Sequence, residues 1–189
     1  MEWLKSMKVI NTEINDLLIL EPKVFGDDRG YFFESYNKNT LRNLLGKDYD
    51  FVQDNESKSS YGVIRGLHYQ LAPFSQVKLV RVLQGKVYDV AVDLRKDSPT
   101  FLNWVGVELS SENKRQFLIP KGFAHGFSVL SETAVFAYKC DEYYHPEAEA
   151  GIIYNDKSLN IDWKIKDEDV NISSKDRLLP ELKKARMNF

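Results

Sequence analysis

Val77-Lys-Leu-Val-Arg-Val-Leu-Gln-Gly-Lys-Val-Tyr-Asp-Val-Ala-Val-Asp-Leu94 is the stretch that decides the fold class of this chain. It contains two Val-rich runs, Val77–Leu83 and Lys86–Leu94, separated by Gln84-Gly85, a pair typical of a tight hairpin turn. The stretch therefore predicts two antiparallel strands. In the second strand, strict alternation gives one apolar packing face and one polar face, formed respectively by Tyr88, Val90 and Val92 and by Asp89, Ala91 and Asp93.

The same pattern continues along the chain as short segments rich in Val, Ile, Phe, Tyr and Thr, separated by Gly, Pro, Asn and Asp. Nine further strands are predicted: Lys8–Thr12, Leu17–Leu20, Gly30–Tyr36, Phe51–Ser57, Val63–Gln70, Asn103–Leu109, Arg115–Ile119, Gly122–Leu130 and Thr133–Cys140. Helix is expected only at Thr40–Leu45, capped by Asn37 or Asn39, and from Ser173 onward, where Pro180 interrupts it. This pattern indicates an all-β sandwich or barrel.

The chain has 189 residues, 43% of them hydrophobic, which is enough for one domain with a real core. No repeat, low-complexity tract or linker divides it, so we expect a single domain over residues 1–189. Met1–Ser6 precede the first predicted strand and are interpreted as an extension. Residues 157–189 are interpreted as a looser C-terminal extension.

Charge and cysteine content exclude several classes of function. The 26 basic and 28 acidic residues give a net charge of −2 with no basic block, so no nucleic-acid partner is expected. Cys140 is the only cysteine, which rules out an internal disulfide and favours a reducing cytoplasm. No signal sequence and no run of about 20 apolar residues is present, so no membrane association is expected.

Arg65 and His68 are charged or titratable residues inside the predicted strand Val63–Gln70. Histidine exchanges a proton near neutral pH, and arginine binds phosphate or carboxylate, so the pair suggests an anion beside a proton-transfer site. Strand alternation would place the two side chains on opposite faces. A bulge at Gly66 would bring them into one cavity. The alternative is an exposed arginine and a core histidine whose ring nitrogens have hydrogen-bond partners.

Two further residues on predicted strands allow more than one interpretation. Lys78 shares a face with apolar neighbours, so it either extends to the surface at a strand end or stabilises an anion inside. Tyr138 has the alternation expected of a core tyrosine, and its hydroxyl is also available for chemistry. The residues alone do not decide between these interpretations.

Ile119-Pro-Lys-Gly-Phe-Ala-His-Gly126 resembles the second motif of metal-binding cupins. Such a site needs about three histidines and a carboxylate. The chain has only three histidines, and the place of the first cupin motif reads His68-Tyr69-Gln70. His145 lies in a loop-like context, so an intact metal site is not expected.

Seven blocks together resemble the dTDP-4-dehydrorhamnose 3,5-epimerase family, in order over nearly the whole chain. They are Phe25–Gly30, Phe51–Asn55, Arg65–Gln70, Lys78–Arg81, Asp89–Asp93, Ile119–Phe127 and Ser174–Asp176. The resemblance implies a metal-free, cofactor-free cupin-type jelly roll that acts as a homodimer. It also implies a substrate, dTDP-4-dehydro-6-deoxy-D-glucose, that is epimerised at C3 and C5 on the way to dTDP-L-rhamnose.

The resemblance assigns roles to four catalytic residues. His68 is the base that removes a proton beside the ketone, and Asp176 orients its imidazole. Tyr138 returns a proton on the opposite face, and Lys78 stabilises the enolate at O4.

The remaining assignments concern binding. Arg65 meets the diphosphate, and His125 lies near the sugar. Other contacts to the substrate are implied for Gln53, Asn55, Glu149 and Lys175. Three residues are expected to reach the site of the partner subunit, namely Phe25, Arg29 and Glu34.

Two segments depart from the family pattern, Leu71–Gln76 and Glu147–Gly151. Both are expected beside the ligand, so they leave open an enzyme that epimerises only C3 or only C5 of a related dTDP-ketosugar. A cupin that only binds its ligand, or that uses a metal for other chemistry, is the alternative from a different class.

Overall fold

The computed structural model describes residues 7–189, and the predicted extension Met1–Ser6 lies outside the described residues. The strands are β1 (Met7–Asn11), β2 (Leu18–Pro22), β3 (Phe25–Asp27), β4 (Gly30–Phe32), β5 (Gln53–Ser60), β6 (Val63–Gln70), β7 (Lys78–Gln84), β8 (Lys86–Asp93), β9 (Trp104–Ser110), β10 (Gln116–Ile119), β11 (Phe123–Val129), β12 (Thr133–Cys140), β13 (Glu149–Gly151) and β14 (Asn171–Ile172). The helices are α1 (Lys38–Leu45) and α2 (Ser174–Arg177), with single 3₁₀ turns at Pro146–Ala148, Asp167–Asp169 and Leu182–Lys184.

Two facing sheets form the predicted all-β jelly roll. Sheet A has the strand order β1-β2-β10-β7-β12-β5, and sheet B has the order β13-β6-β11-β8-β9, with β14 pairing parallel to β6. The β3–β4 hairpin stands apart from both sheets. Each of the eleven predicted strands is present with shifts of a few residues at its ends, except that Gly30–Tyr36 is strand only as far as Phe32.

Three hydrophobic layers stabilise the two sheets. The central layer packs between sheets A and B and includes Val80, Phe117, Phe127 and Phe136. The outer face of sheet A is covered by α1 through Leu41.

The outer face of sheet B is covered by the C-terminal segment. Leu159, Trp163 and Leu182 are buried against it. The segment predicted to be a looser extension therefore contributes a hydrophobic layer of its own.

Strand β8 differs from the expectation of one packed and one polar face, because both of its faces are buried. Val90 and Val92 pack beneath the C-terminal segment. Asp89 and Asp93 on the other face have 0% exposure. The polar face of this strand is therefore an internal one, where carboxylates need partners.

Local signals explain the two helices. The Asn37 side chain caps α1 by accepting from two backbone N–H groups, and the helix ends at Gly46 in the left-handed conformation (φ 65°). In α2, Ser173 caps a single turn. The predicted C-terminal helix is thus reduced to one turn that places Lys175 and Asp176.

Candidate active site

A bulge at Gly66 builds the floor of the site. Along the β6–β11 ladder, His68 pairs with His125 and Arg65 pairs with Phe127, so β6 carries one extra residue. Gly66 has φ 123°, and a Cβ there would lie 2.6 Å from the Cα of Gly126. The predicted bulge is confirmed, and Arg65 and His68 line the same cavity.

The cavity lies between the sheets and has a volume of about 580 Å³. A smaller arm of about 250 Å³ shares Asn55, His68, Lys78 and Tyr138 with it. His68 comes from sheet B, whereas Lys78 and Tyr138 come from sheet A. A ligand in the cavity would therefore meet these groups on two opposite walls.

His68 is hydrogen-bonded to a carboxylate from the C-terminal segment. Its Nε2 lies 2.8 Å from Oδ1 of Asp176, which is itself buried. Burial alone would raise the pKa of Asp176, but the hydrogen bond and charge of His68, with the N–H of Gly66, lower it below its ordinary value. Nδ1 of His68 makes no hydrogen bond within residues 7–189, so it is the nitrogen left for a ligand.

Lys78 lines the cavity without a partner. Its ammonium forms no hydrogen bond or ion pair with the residues that the structure describes, and it lies 6.0 Å from the ring centre of Tyr138. Burial lowers its pKa, opposed by the nearby Cys140, Asp89 and Glu149. The structure thus favours the interpretation of Lys78 as an internal cation that can stabilise an anion.

Tyr138 lies on β12 in the wall that faces His68. Burial raises the pKa of its hydroxyl, Cys140 adds to this effect and Arg65 opposes it. The hydroxyl therefore keeps its proton at neutral pH and can donate it to a strong base such as a carbanion.

Two cations stand on the open side of the cavity, Arg65 and Lys175. Arg65 Nε donates to Ser59 Oγ at 3.0 Å. Lys175 Nζ donates to both carboxylate oxygens of Glu149 at 2.8 Å. Both cations can donate hydrogen bonds to a phosphate group, Lys175 after its ion pair with Glu149 opens.

Besides His68, Lys78 and Glu149, the smaller arm is lined by several uncharged hydrogen-bonding groups. Gln53 Nε2 donates to Asn55 Oδ1 at 2.9 Å, and the backbone N–H of Tyr144 donates to Gln53 Oε1 at 3.1 Å. The Tyr144 hydroxyl donates to Glu149 at 2.8 Å. Tyr144 was not singled out from the sequence, because a tyrosine in a loop carries no periodic signal.

A second histidine–carboxylate pair lies behind the first. His125 Nε2 is 2.9 Å and 3.0 Å from the two carboxylate oxygens of Asp89. Burial raises the pKa of Asp89, while His125 and Lys78 oppose this. The pairing of His125 was not predicted, although the alternation in β8 placed Asp89 on a polar face that could have suggested it.

Three predicted residues lie away from the cavity of their own chain. Phe25 and Arg29 belong to the exposed β3–β4 hairpin, where Arg29 pairs with Asp27. Glu34 accepts hydrogen bonds from Asn37 and Thr40 at the start of α1. The other ten predicted site residues line the cavity or its smaller arm.

Among residues 7–189, no group of three or more His, Cys, Asp or Glu side chains is arranged to hold a metal ion. In the same part of the chain, no helix has the length and apolar character needed to cross a membrane.

Comparison with known proteins gives consistent matches. The family model described as dTDP-4-dehydrorhamnose 3,5-epimerase matches residues 11–184. The dTDP-4-dehydrorhamnose 3,5-epimerase of Shigella flexneri is 58% identical over 170 residues, which are 87% of this chain and 94% of that protein.

Solved structures match over most of the chain as well. A dTDP-6-deoxy-D-glucose-3,5-epimerase from Legionella pneumophila, in complex with dTDP-4-keto-L-rhamnose, is 57% identical with a TM-score of 0.90, covering 94% of each chain. A 3′-monoepimerase from Streptomyces bikiniensis, in complex with dTDP-quinovose, is 30% identical with a TM-score of 0.84, covering 91% of this chain and 86% of that one.

Proposed function

This chain belongs to the dTDP-4-dehydrorhamnose 3,5-epimerase family, and we propose that it converts dTDP-4-dehydro-6-deoxy-D-glucose to dTDP-4-dehydro-L-rhamnose by inverting C3 and C5. The observation that carries the proposal is the arrangement of groups across one cavity. A hydrogen-bonded His68–Asp176 pair on one wall faces the hydroxyl of Tyr138 and the ammonium of Lys78, which has no partner among residues 7–189, on the other.

The chemistry divides into two proton transfers at each carbon. His68 takes the proton from the carbon beside the C4 ketone, and the electron pair of the broken C–H bond moves into the carbonyl to give an enolate. Lys78 donates a hydrogen bond to the enolate oxygen, which lowers the barrier to its formation. Tyr138 then gives its proton to the carbon from the opposite face, and solvent returns both residues to their starting states.

Asp176 supports this cycle electrostatically. As an ionised carboxylate bonded to Nε2, it fixes the imidazole and stabilises the imidazolium that forms when Nδ1 accepts the carbon-bound proton. Because Asp176 belongs to the C-terminal segment 157–189, we infer that this segment and the jelly roll act as one domain.

Binding of the nucleotide part follows from charge. Arg65 and Lys175 bind the diphosphate. Lys175 gives up its ion pair with Glu149 to do so. Four residues contribute hydrogen bonds to the rest of the substrate, namely Gln53, Asn55, His125 and Glu149. The assigned residues use no metal or other cofactor, and the reaction requires no redox change.

A homodimer completes the site in this proposal. The β3–β4 hairpin exposes Phe25 (46%), Tyr31 (61%) and Phe32 (64%), which is unusual for large apolar residues in a monomer. We propose that the hairpin brings Phe25 and Arg29, with Glu34 behind it, to the partner's cavity. The cytoplasm remains the expected compartment, on the basis of the single buried thiol at Cys140.

The test is incubation with dTDP-4-dehydro-6-deoxy-D-glucose in deuterated water, followed by NMR. Deuterium at both C3 and C5 is expected, and deuterium at one carbon would indicate a narrower epimerase such as the 3′-monoepimerase it resembles.

His68→Asn should abolish exchange at both carbons while dTDP binding is retained. His145→Asn is the matched control, because His145 lines neither the main cavity nor its smaller arm. This variant should incorporate deuterium like the wild type. Exchange that persists in His68→Asn would overturn the assignment of the base.

A further inference from the structure

The two histidine–carboxylate pairs are neighbours in the same sheet. His68 and His125 are direct partners across β6 and β11, so their side chains project from the same face at a typical Cβ separation of about 5 Å. The pairs differ in depth. The side chain of His68 is 32% exposed to the cavity, whereas those of His125 and Asp89 are 8% and 0% exposed.

Asp89 is fully buried and does not touch the cavity. Within residues 7–189, its two oxygens accept hydrogen bonds only from Nε2 of His125. It does not line the main cavity or its smaller arm. A buried carboxylate with a single donor carries a large desolvation cost, which a purely structural role would avoid with an apolar side chain.

The second charge near Asp89 comes from the facing sheet. Lys78 on β7 lines the same cavity as His125, the residue that is hydrogen-bonded to Asp89, and each of Lys78 and Asp89 favours the charged form of the other. The titratable groups around Lys78 come from six other strands and α2: Glu56, Arg65, His68, Asp89, His125, Tyr138, Cys140, Glu149, Lys175 and Asp176. Of the carboxylates, only Asp89 and Glu149 favour the charged form of Lys78, and Glu149 is already paired with Lys175.

We propose that Asp89 is a positioning residue that acts through two others: it holds His125 with Nε2 as the donor, and it supplies the fixed negative charge that keeps Lys78 protonated. Since Nε2 is committed to Asp89, the nitrogen of His125 left for a ligand is Nδ1. The inference rests on the proposed function for its kinetic test, but the state of His125 does not depend on any substrate.

Asp89→Asn is the test variant because it keeps an oxygen that can accept from His125 and removes only the charge. With the charge gone, Lys78 loses its proton at lower pH, so the alkaline limb of kcat against pH should move to lower pH. At neutral pH kcat should fall by about 10- to 100-fold, the range found for carboxylates that orient metal-binding histidines. KM should stay within about twofold, since Asp89 touches no substrate.

Asp93→Asn is the matched control. Asp93 is also fully buried on β8, but it pairs with Arg95, Ser98 and Thr100 instead of the cavity groups. Its loss should lower stability without moving the alkaline limb. An unchanged pH profile in Asp89→Asn, or an equal shift in Asp93→Asn, would overturn the proposal.

A measurement on the wild type covers the case in which Asp89→Asn does not fold. The imidazole ¹⁵N signals of the three histidines can be assigned with His68→Asn and His145→Asn. His125 should carry its proton on Nε2 at neutral pH with or without substrate. A proton on Nδ1 only would contradict the inference. Absence of deuterium exchange in the wild type would instead count against the proposed function and leave this result standing.

Discussion

The two histidine–carboxylate pairs have the same chemistry but different supports. Asp89 lies on β8, an inner strand of sheet B that is buried on both faces. Asp176 is delivered by α2, one helical turn in a segment that packs over the outside of the sheet. The comparison shows that the geometry of one pair is fixed by the jelly roll itself, whereas that of the other depends on the docking of a separate stretch of chain.

The largest effect is expected where the carboxylate acts directly on the proposed base. Asp176→Asn removes the charge that stabilises the His68 imidazolium, so kcat should fall by roughly 10³-fold or more, as in other histidine–aspartate pairs. Steady-state kinetics on the ketosugar, with dTDP affinity as the control, would measure it. A fall in kcat smaller than that of Asp89→Asn would show that the inner pair matters more for catalysis than the outer one.

The docking of the C-terminal segment can be weakened without touching either pair. Trp163 is buried against sheet B, its Nε1 donates to Tyr154 O, and its carbonyl accepts from Ser128 Oγ at 2.6 Å. Trp163→Ala should cost about 3–5 kcal/mol of unfolding free energy. Activity should fall further than in a control of comparable instability, since Asp176 loses its support.

Leu41→Ala provides that control on the opposite side of the molecule. Leu41 is the buried residue of α1 over sheet A, and its truncation should cost about 2–5 kcal/mol. Urea unfolding curves and kcat at a temperature where both variants are folded would separate the two. Equal kcat values in the two variants would show that docking of the C-terminal segment does not govern the His68 pair.

The smallest expected effect is on the pH dependence of stability, where the two carboxylates should act in opposite directions. The pKa of Asp176 is lowered in the folded state, so its contribution to stability is present above the unfolded value of about 4 and is lost as the pH falls through the folded value. The pKa of Asp89 is raised, so its contribution is lost as the pH rises through the folded value.

Unfolding free energies between pH 3 and 7 would measure these slopes. With rising pH, the wild type should gain stability over Asp176→Asn and lose it relative to Asp89→Asn. Slopes of the same sign in the two variants would show that the two carboxylates do not differ in this way.

The sequence predicted the strands well because alternation and glycine-rich turns are local properties. Val63–Gln70 and Thr133–Cys140 have the predicted bounds, and the Gly66 bulge was predicted from a glycine between Arg65 and His68. The short strands β13 and β14 have three and two residues, too few for a period to be recognised.

The roles of the site residues were harder to predict from local sequence patterns. The residues alone left Lys78 and Tyr138 undecided, because their roles depend on which sheet faces which. The contact between His68 and Asp176 spans 108 positions in the chain and was expected only from the family resemblance. Asp89 stood on a face described as polar, and only the packing of the two sheets shows that this face is internal.

The parallel pairing of β14 with β6 has a consequence for biosynthesis. β6 is translated first, whereas its parallel neighbour β14 and the carboxylate of Asp176, 108 positions after His68, are translated much later. A nascent chain can therefore pair β6, β8 and β11 and form its inner histidine pair while the outer pair still lacks its acid. The order of translation thus keeps the proposed catalytic base without its partner until the scaffold that holds it has formed.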